Sequence, residues 1–226
     1  MTAIMWGTSI YAAAAIFAQR SAEPLNAAAE AVPEFSSNDN LGALATQVPL
    51  LLIALGYLYL RRFNFRQWIL RPSVRGTFIA LLAFALIGLC MDLALSGQYY
   101  LAPTGGEVTT DAAVAENSWG PWANLTDPTL VVYSLFNGLY EELFFLGVCL
   151  SVAPKYQRVA FIYSLIVRFS FHIYMGTFIA LCIGVIVGPI FYLVWKKMTN
   201  KNMYPLIIAH MLGDIFGVSL LQFLPR

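Results

Sequence analysis

The chain contains seven long apolar segments separated by polar connections, and this pattern constrains its fold more than any other feature. A helix that crosses a bilayer needs roughly 20 mostly apolar residues. The segments that meet or nearly meet this requirement lie at about 3–19, 42–60, 77–96, 129–150, 159–175, 177–195 and 204–224. The pattern predicts an all-α fold, a polytopic bundle of about seven transmembrane helices in which residues 1–226 form a single transmembrane domain.

The composition supports a membrane protein and excludes several other classes. Hydrophobic residues make up 59% of the chain and charged residues 11%, whereas about a quarter of the residues of a soluble domain are charged. The net charge of +1 and the scattered basic residues argue against nucleic-acid binding, which needs a concentrated basic face. Cys90, Cys149 and Cys182 lie in apolar stretches without metal-ligand spacing, so we expect them to be buried packing residues.

The distribution of charge predicts the orientation of the helices. Segments 61–75, 151–158 and 196–203 together carry ten basic residues and no acidic residue, whereas the alternate segments 20–41 and 97–128 are acidic apart from Arg20. Since basic loops stay in the cytoplasm, we expect a cytoplasmic N-terminus and an external C-terminus. The first apolar segment is open to a second interpretation, a signal peptide, although it lacks a basic n-region.

Few ionisable side chains lie at membrane depth, and they point to the functional site. Placing one charged group near the bilayer midplane costs at least ~2.5 kcal/mol, so such groups pair with one another or line a hydrated cavity. Both histidines of the chain belong to this set. Its members are Asp92, Glu141, Glu142, Arg168, His172, His210 and Asp214.

Spacing along the helices directs most of these groups towards a common interior. Glu141 and Glu142 are adjacent on the fourth segment. Neighbouring helical positions point about 100° apart, so one carboxylate can face a cavity while the other faces a neighbouring helix. The fifth segment offers His172 one turn after Arg168, and the seventh offers His210. Three segments therefore supply acid and imidazole groups to one region.

This set of groups is suited to activating water for attack on an amide. Two adjacent carboxyl groups in a low-dielectric site cannot both ionise cheaply, so one is expected to take a proton from water and return it to a leaving group. Histidine can share that proton or stabilise a developing oxyanion. Asp214, one turn from His210, is expected to orient the imidazole and fix its tautomer. No serine or cysteine stands beside a base here, which disfavours a covalent nucleophile.

Three short stretches carry a family resemblance. The chain has EELFFL beginning at Glu141, His172 on the next segment, and YPLIIAHMLGD ending at Asp214. These stretches resemble the motifs of the CAAX-protease and bacteriocin-processing (Abi) family of intramembrane proteases, which includes type II CAAX endopeptidases. The family pattern is EExxxR on one membrane helix, FxxxH on the next, and HxxxN or HxxxD on a later one. The resemblance implies a catalytic-motif core at 129–217.

The resemblance also implies a role for each matching residue. Glu141 is similar to the glutamate that activates water, and Glu142 to its supporting partner. His172 is similar to the histidine that shares the water, and His210 and Asp214 to the pair that stabilises the oxyanion. A water activated by glutamate needs no cofactor, but two histidines with carboxylates could also bind zinc. The metal requirement therefore stays open at this point.

Two positions depart from the family pattern. Leu146 replaces the arginine that ends the first motif, and Arg168 replaces the phenylalanine that opens the second. An unpaired buried charge is costly. We therefore expect Arg168 to be a structural charge partner that pairs with Glu142 across the helix interface.

Three classes of function are compatible with the sequence. The first is an intramembrane endopeptidase that cuts a membrane-bound or lipid-anchored peptide in a bacterial or archaeal plasma membrane. The second is a non-proteolytic pseudoenzyme that acts as a scaffold or accessory subunit of a membrane complex, which the departures at Leu146 and Arg168 favour. The third, a proton-linked transporter or channel, is weakened by the lack of paired repeats.

Two further polar residues have less specific interpretations. Asp92 lies near the outer end of the third segment, where we expect a structural role. Asn137, one turn before Glu141, is compatible either with a hydrogen bond inside the cavity or with helix packing.

Overall fold

The computed structural model describes residues 1–22, 36–101, 120–198 and 200–223 of the chain. All regular elements in these ranges are helical. Residues 23–35 and 102–119, which make up most of the acidic connections 20–41 and 97–128, lie outside the described residues. The α-helices are α1 (Thr2–Ala22), α2 (Ser37–Leu60), α3 (Val74–Leu101), α4 (Pro128–Glu142), α5 (Gln157–His172), α6 (Thr177–Cys182), α7 (Gly188–Lys197) and α8 (Tyr204–Phe216).

Each of the seven predicted segments coincides with helical structure. Three helices, Ser37–Leu60, Val74–Gln98 and Thr177–Lys197, are long and apolar enough to cross a membrane. A fourth candidate span is the pair Pro128–Ser151 and Pro154–Met175, which bends by 116° at its break. Among the described residues, length and hydropathy thus indicate three or four spans, fewer than the seven predicted from sequence.

The last predicted segment is shorter than expected. Helix α8 has 13 residues and a length of about 20 Å, so it does not continue to residue 224. It ends at Phe216 because Gly217 adopts a φ of 74°, a conformation that favours glycine and cannot continue a helix. The backbone then turns into a short 3₁₀-helix, Leu221–Phe223.

Capping residues define where α2 and α4 begin. Ser36 and Asp39 form a reciprocal capping box at the start of α2. Asp127 caps α4, since its Oδ1 accepts hydrogen bonds from the Thr129 backbone N–H at 2.8 Å and hydroxyl at 2.7 Å. The Thr129 hydroxyl is the main cause of a lowered pKa of the Asp127 carboxyl. The Ser37 hydroxyl of α2 donates to the Asp127 carboxylate at 3.0 Å. The two helices therefore start at the same end of the bundle.

Helix α4 lies at the centre of the bundle, between α2 and α8. Its contact with α8 is close because Gly138 has no side chain. A Cβ atom at this position would lie 2.9 Å from the carbonyl oxygen of Ile207 and 3.3 Å from the Cβ of His210. This approach brings His210 next to the end of α4, where the two adjacent glutamates lie.

A π-helical segment, Leu143–Val148, follows α4 directly. π-turns of this kind are rare and occur frequently at functional sites. Trp6 of α1 packs against the segment and against α5. Its ring stacks on Phe171 at 4.2 Å and on Phe145 at 5.6 Å. This aromatic cluster fixes the positions of the helices that carry the buried charges.

Asp92 and two of the three cysteines occupy the structural positions expected for them. The Asp92 carboxylate accepts hydrogen bonds from the Ser219 hydroxyl at 2.5 Å and from the Leu220 backbone N–H at 2.9 Å. It thereby attaches the segment after α8 to α3. Cys149 and Cys182 are buried, whereas Cys90 is half-buried.

Candidate active site

Five of the ionisable residues predicted from sequence lie together where α4, α5 and α8 meet. Glu141 and Glu142 end α4, Arg168 comes from the last part of α5, and His210 and Asp214 come from α8. We refer to these five residues as the site cluster. Both glutamates and Arg168 are at most 3% exposed, so their charges interact with little screening by solvent.

The Glu142 side chain is held by two donors. Its Oε1 accepts a hydrogen bond from Nη2 of Arg168 at 2.9 Å and one from Nδ1 of His210 at 2.8 Å. The ion pair between Arg168 and Glu142 that the sequence predicted is therefore present. The guanidinium also lies over the Phe145 ring at 4.1 Å, a cation–π geometry that favours the charge in a buried place.

The Glu141 side chain is held much less firmly than that of its neighbour. Its Oε1 accepts a long hydrogen bond of 3.3 Å from Asn137 and lies 3.7 Å from Nε2 of His210. Its Oε2 lies 3.7 Å from Nη1 of Arg168 and has no hydrogen-bond partner among the described residues. One buried carboxylate oxygen is thus available for a small polar molecule.

His210 is oriented differently from the sequence prediction. We expected Asp214 to orient the imidazole, but its Oδ1 lies 3.7 Å from Nε2, beyond hydrogen-bond distance. Glu142 orients the ring instead, through Nδ1. Because a carboxylate oxygen accepts, Nδ1 donates and Nε2 points towards Glu141 and Asp214.

Asn137 connects two carboxylates of the site cluster, and Gln47 of α2 fixes its orientation. The Asn137 Nδ2 donates to Asp214 Oδ2 at 2.9 Å and to Glu141 Oε1 at 3.3 Å. Its Oδ1 accepts from Nε2 of Gln47 at 2.8 Å. This arrangement favours the interpretation of Asn137 as a cavity residue. Gln47 was not predicted from sequence, because a neutral amide in an apolar segment carries no charge signal.

His172 does not join the site cluster through a hydrogen bond. It ends α5, and its Nδ1 lies 2.7 Å from the backbone carbonyl of Arg168. Since a carbonyl only accepts, Nδ1 carries the hydrogen, and a neutral ring has an unprotonated Nε2. Within the described part of the chain, His172 forms no hydrogen bond or ion pair with a carboxylate. Its ring packs against that of Phe171 at 4.2 Å.

Two tyrosines near the carboxylates were not singled out in the sequence. Tyr133 of α4 and Tyr174, just after α5, both interact electrostatically with Asp214 and Glu141. Their hydroxyl groups add polar character to the side of the site cluster on which Asp214 lies. Tyrosines are common in apolar helices, so the sequence alone gave no reason to select these two.

The site cluster also contains a set of possible metal ligands. Glu141, Glu142 and His210 each offer one ligand atom, and these atoms lie within 4.8 Å of one another. Two carboxylates and one imidazole fit the ligand preferences of zinc. However, Arg168 is close to both glutamates and already neutralises part of their charge. A divalent cation would have to bind beside the guanidinium or displace it, so the donor types fit and the local charge opposes binding.

One comparison with known proteins finds a similar family. Residues 124–216 match the family model described as type II CAAX prenyl endopeptidase Rce1-like. No curated protein and no solved structure matches the chain. The match covers the whole site cluster together with Asn137 and His172. It confirms the resemblance that the three motifs indicated: residues 124–216 are similar to the Rce1-like family of type II CAAX prenyl endopeptidases.

Proposed function

We propose that the chain is an intramembrane endopeptidase in which Glu141 activates water for attack on a peptide bond. The observation that carries this proposal is the unequal environment of the two glutamates. Each glutamate keeps one buried oxygen without a partner among the described residues, but the other oxygen of Glu142 accepts two short hydrogen bonds, from Arg168 and His210, whereas that of Glu141 accepts only a 3.3 Å bond from Asn137. A general base must be able to reach the proton that it abstracts, and the weaker hold on Glu141 supports it as the glutamate that turns towards a bound water.

In the proposed reaction, the water oxygen bonds to the carbonyl carbon of the scissile peptide as its proton passes to Glu141. The tetrahedral intermediate then collapses, the C–N bond breaks, and Glu141 returns the proton to the leaving amine. Glu142 and Arg168 hold the framework, since their ion pair ties α4 to α5. No covalent enzyme intermediate is required.

The oxyanion would be stabilised from α8. With Nδ1 bound to Glu142, the Nε2 of His210 is the atom directed towards Glu141, so it can donate to an oxygen that forms there. Asp214 compensates the positive charge of the ring from 3.7 Å. His172, with its unprotonated Nε2, is proposed to share the water once substrate binding brings the end of α5 closer.

The proposed substrate is a membrane-associated, lipid-anchored peptide or protein. The family is that of type II CAAX prenyl endopeptidases, so a prenylated CAAX-type peptide is the first probe to use. The long apolar helices support a site that a lipid-anchored chain can reach from the bilayer. If zinc binds, Glu141, Glu142 and His210 would hold it and the ion would polarise the carbonyl or the water.

A cleavage assay with matched variants tests the proposal. The full chain is reconstituted in lipid nanodiscs with a farnesylated fluorogenic CAAX peptide, and an unlipidated peptide serves as a control. We expect Glu141→Gln to lower kcat by about 10²–10⁴-fold, the range of general acid–base catalysis. Asp39→Asn makes the same chemical change in the exposed α2 cap and should leave the rate unchanged.

Other outcomes would identify other functions. Activity that EDTA removes and Zn²⁺ restores would establish a metal enzyme. No cleavage, together with stoichiometric copurification of partner subunits that Glu141→Gln does not alter, would support the scaffold function instead.

We further propose a seven-helix topology with the N-terminus on the cytoplasmic side. The basic segments at 61–75, 151–158 and 196–203 support this orientation. Helices α5 and α8 are shorter than the hydrocarbon core, so this topology requires local thinning or a hydrated recess at their ends. Labelling the single variants Arg66→Cys and Asn124→Cys with an impermeant thiol reagent in intact cells would place the two positions on opposite sides if the topology is correct.

A further inference from the structure

Polar side chains follow the contact between α2 and α4 from one end of the bundle to Glu141. They alternate between the two helices and replace the apolar packing expected inside a membrane protein. We call this row the polar seam; its members are Ser37, Asn40 and Gln47 of α2, Asp127 at the cap of α4, Thr129 and Asn137 of α4, and Ser134, which is buried on α4 one turn before Asn137.

Hydrogen bonds link the polar seam across the two helices at three levels. Ser37 contacts Asp127 at the exposed end, at 3.0 Å. Asn40 donates to the Thr129 hydroxyl at 3.2 Å, and Gln47 donates to Asn137 at 2.8 Å. Asn137 in turn contacts Glu141. The inner end of the row is therefore in contact with the site cluster.

Buried polar atoms without a protein partner concentrate along this row. Six such side-chain atoms occur among the described residues, and five lie on the polar seam or on the glutamates at its inner end. On the polar seam they are Asn40 Oδ1, Ser134 Oγ and Gln47 Oε1. Asn40 and Ser134 are 0% exposed. A buried polar atom that bonds to nothing carries its full desolvation penalty, and in native proteins such atoms are usually satisfied by ordered water.

We propose that the polar seam is a row of water-binding sites that supplies Glu141 with the water consumed in peptide hydrolysis. The inference rests on the proposed function, because it provides the second substrate of that reaction. The ligand is neutral water: each of the three seam atoms named above can accept a hydrogen bond, and Ser134 can also donate one.

Distances along the helices fit a short row of water molecules. Asn40 and Gln47 are seven residues apart, about 10 Å along α2, and Ala43 between them has a small side chain. Ser134, Asn137 and Glu141 follow one another at helical spacing on the buried face of α4. No charged side chain lies on the seam between Thr129 and Glu141. Ions would have to lose their hydration without compensation, so the row favours water over ions.

Radiolytic hydroxyl-radical labelling of the full chain in nanodiscs tests the proposal without reference to protease activity. Radicals formed from bound water oxidise adjacent side chains, which mass spectrometry then identifies. Leu130 and Leu51 are each one turn from a seam residue and 8% exposed, and Leu58 is a similarly buried leucine further along α2, 5% exposed. We expect Leu130 and Leu51 to be oxidised several times faster than Leu58. Equal rates, or faster oxidation of Leu58 alone, would overturn the proposal.

Variants connect the hydration to turnover. Asn40→Leu and Ser134→Val each remove an acceptor; we expect slower oxidation of Leu51 and a kcat reduced about tenfold with KM unchanged. Thr46→Val is the matched control, because the Thr46 hydroxyl is exposed on α2 and bonds to its own helix. If Leu130 and Leu51 stay unlabelled in an active enzyme, the row of water sites is refuted and the proposed function stands. Labelled leucines in a chain that cleaves no peptide would refute the proposed function alone.

Discussion

Replacing Arg168 by leucine should strongly destabilise the protein. The variant leaves Glu142 fully buried, with His210 as its remaining hydrogen-bond donor among the described residues. Removing one partner of a buried ion pair typically costs 3–5 kcal/mol, because the other charge stays without compensation. That is a large part of the 5–15 kcal/mol that stabilises a typical native protein.

The double variant Arg168→Leu/Glu142→Gln separates the ion pair from the loss of side-chain volume. It removes both charges, so we expect it to be more stable than Arg168→Leu alone. A second double variant, Arg168→Leu/Leu146→Arg, moves the guanidinium to the other helix. Leu146 and Arg168 line the same small cavity beside Phe191, so we expect the relocated guanidinium to occupy the space of the original one and to recover much of the lost stability.

Thermal unfolding in detergent micelles, followed by intrinsic fluorescence, measures these effects. For a chain of this size, a loss of 3–5 kcal/mol corresponds to a melting temperature lower by about 6–20 °C. The cleavage assay on the same preparations reports whether function follows stability. An Arg168→Leu variant that melts and cleaves like the wild type would refute the assigned role of the ion pair.

Three further predictions concern the framework around the site. Gly138→Ala places a Cβ 2.9 Å from a backbone oxygen of α8 and should destabilise the protein by about 1–3 kcal/mol. Gly56→Ala is the control, because nothing lies within 4 Å of a Cβ there. It should have little effect on the melting curve. Asp92→Ala should cost about 1.5–3 kcal/mol and increase proteolysis after residue 216, because it removes the hydrogen bonds that hold this segment to α3. The pKa of Asp127 is lowered in the folded protein, so its cap stabilises the fold fully above the unfolded-state pKa of about 3.9. This contribution is lost as the pH falls through the folded-state pKa. The melting temperature of Asp127→Asn should therefore fall less with acidification than that of the wild type.

The positions of the helices were predictable from the sequence because apolar length is a one-dimensional signal. The convergence of Glu142, Arg168 and His210 was also predictable, since each charge is too costly to bury alone. The chain has one arginine and two glutamates at that depth, so the choice of partners was small. The presence of Leu146 and Arg168 at two positions where the motifs depart from the family pattern made the inference specific.

Other features depend on how each helix is rotated about its axis, which the sequence does not encode locally. His210 is oriented by Glu142 rather than by Asp214, although Asp214 is its helical neighbour. The π-helical turn after Glu142 and the contact of Gln47 with Asn137 arise from packing between helices that are distant in the chain. The early end of α8 was missed because Gly217 lies within an otherwise apolar stretch.

The exchange between Leu146 and Arg168 has a consequence for how relatives should be recognised. In this chain the positive charge beside the buried Glu142 comes from Arg168 on α5, and we expect an arginine at position 146 to be able to take its place. A search pattern that demands arginine four residues after the second glutamate would discard chains with the same electrostatics. A rule that accepts the cation at position 146 or at position 168, provided the other of the two is uncharged, would retain such chains. It would also predict that substitutions at these two positions occur together.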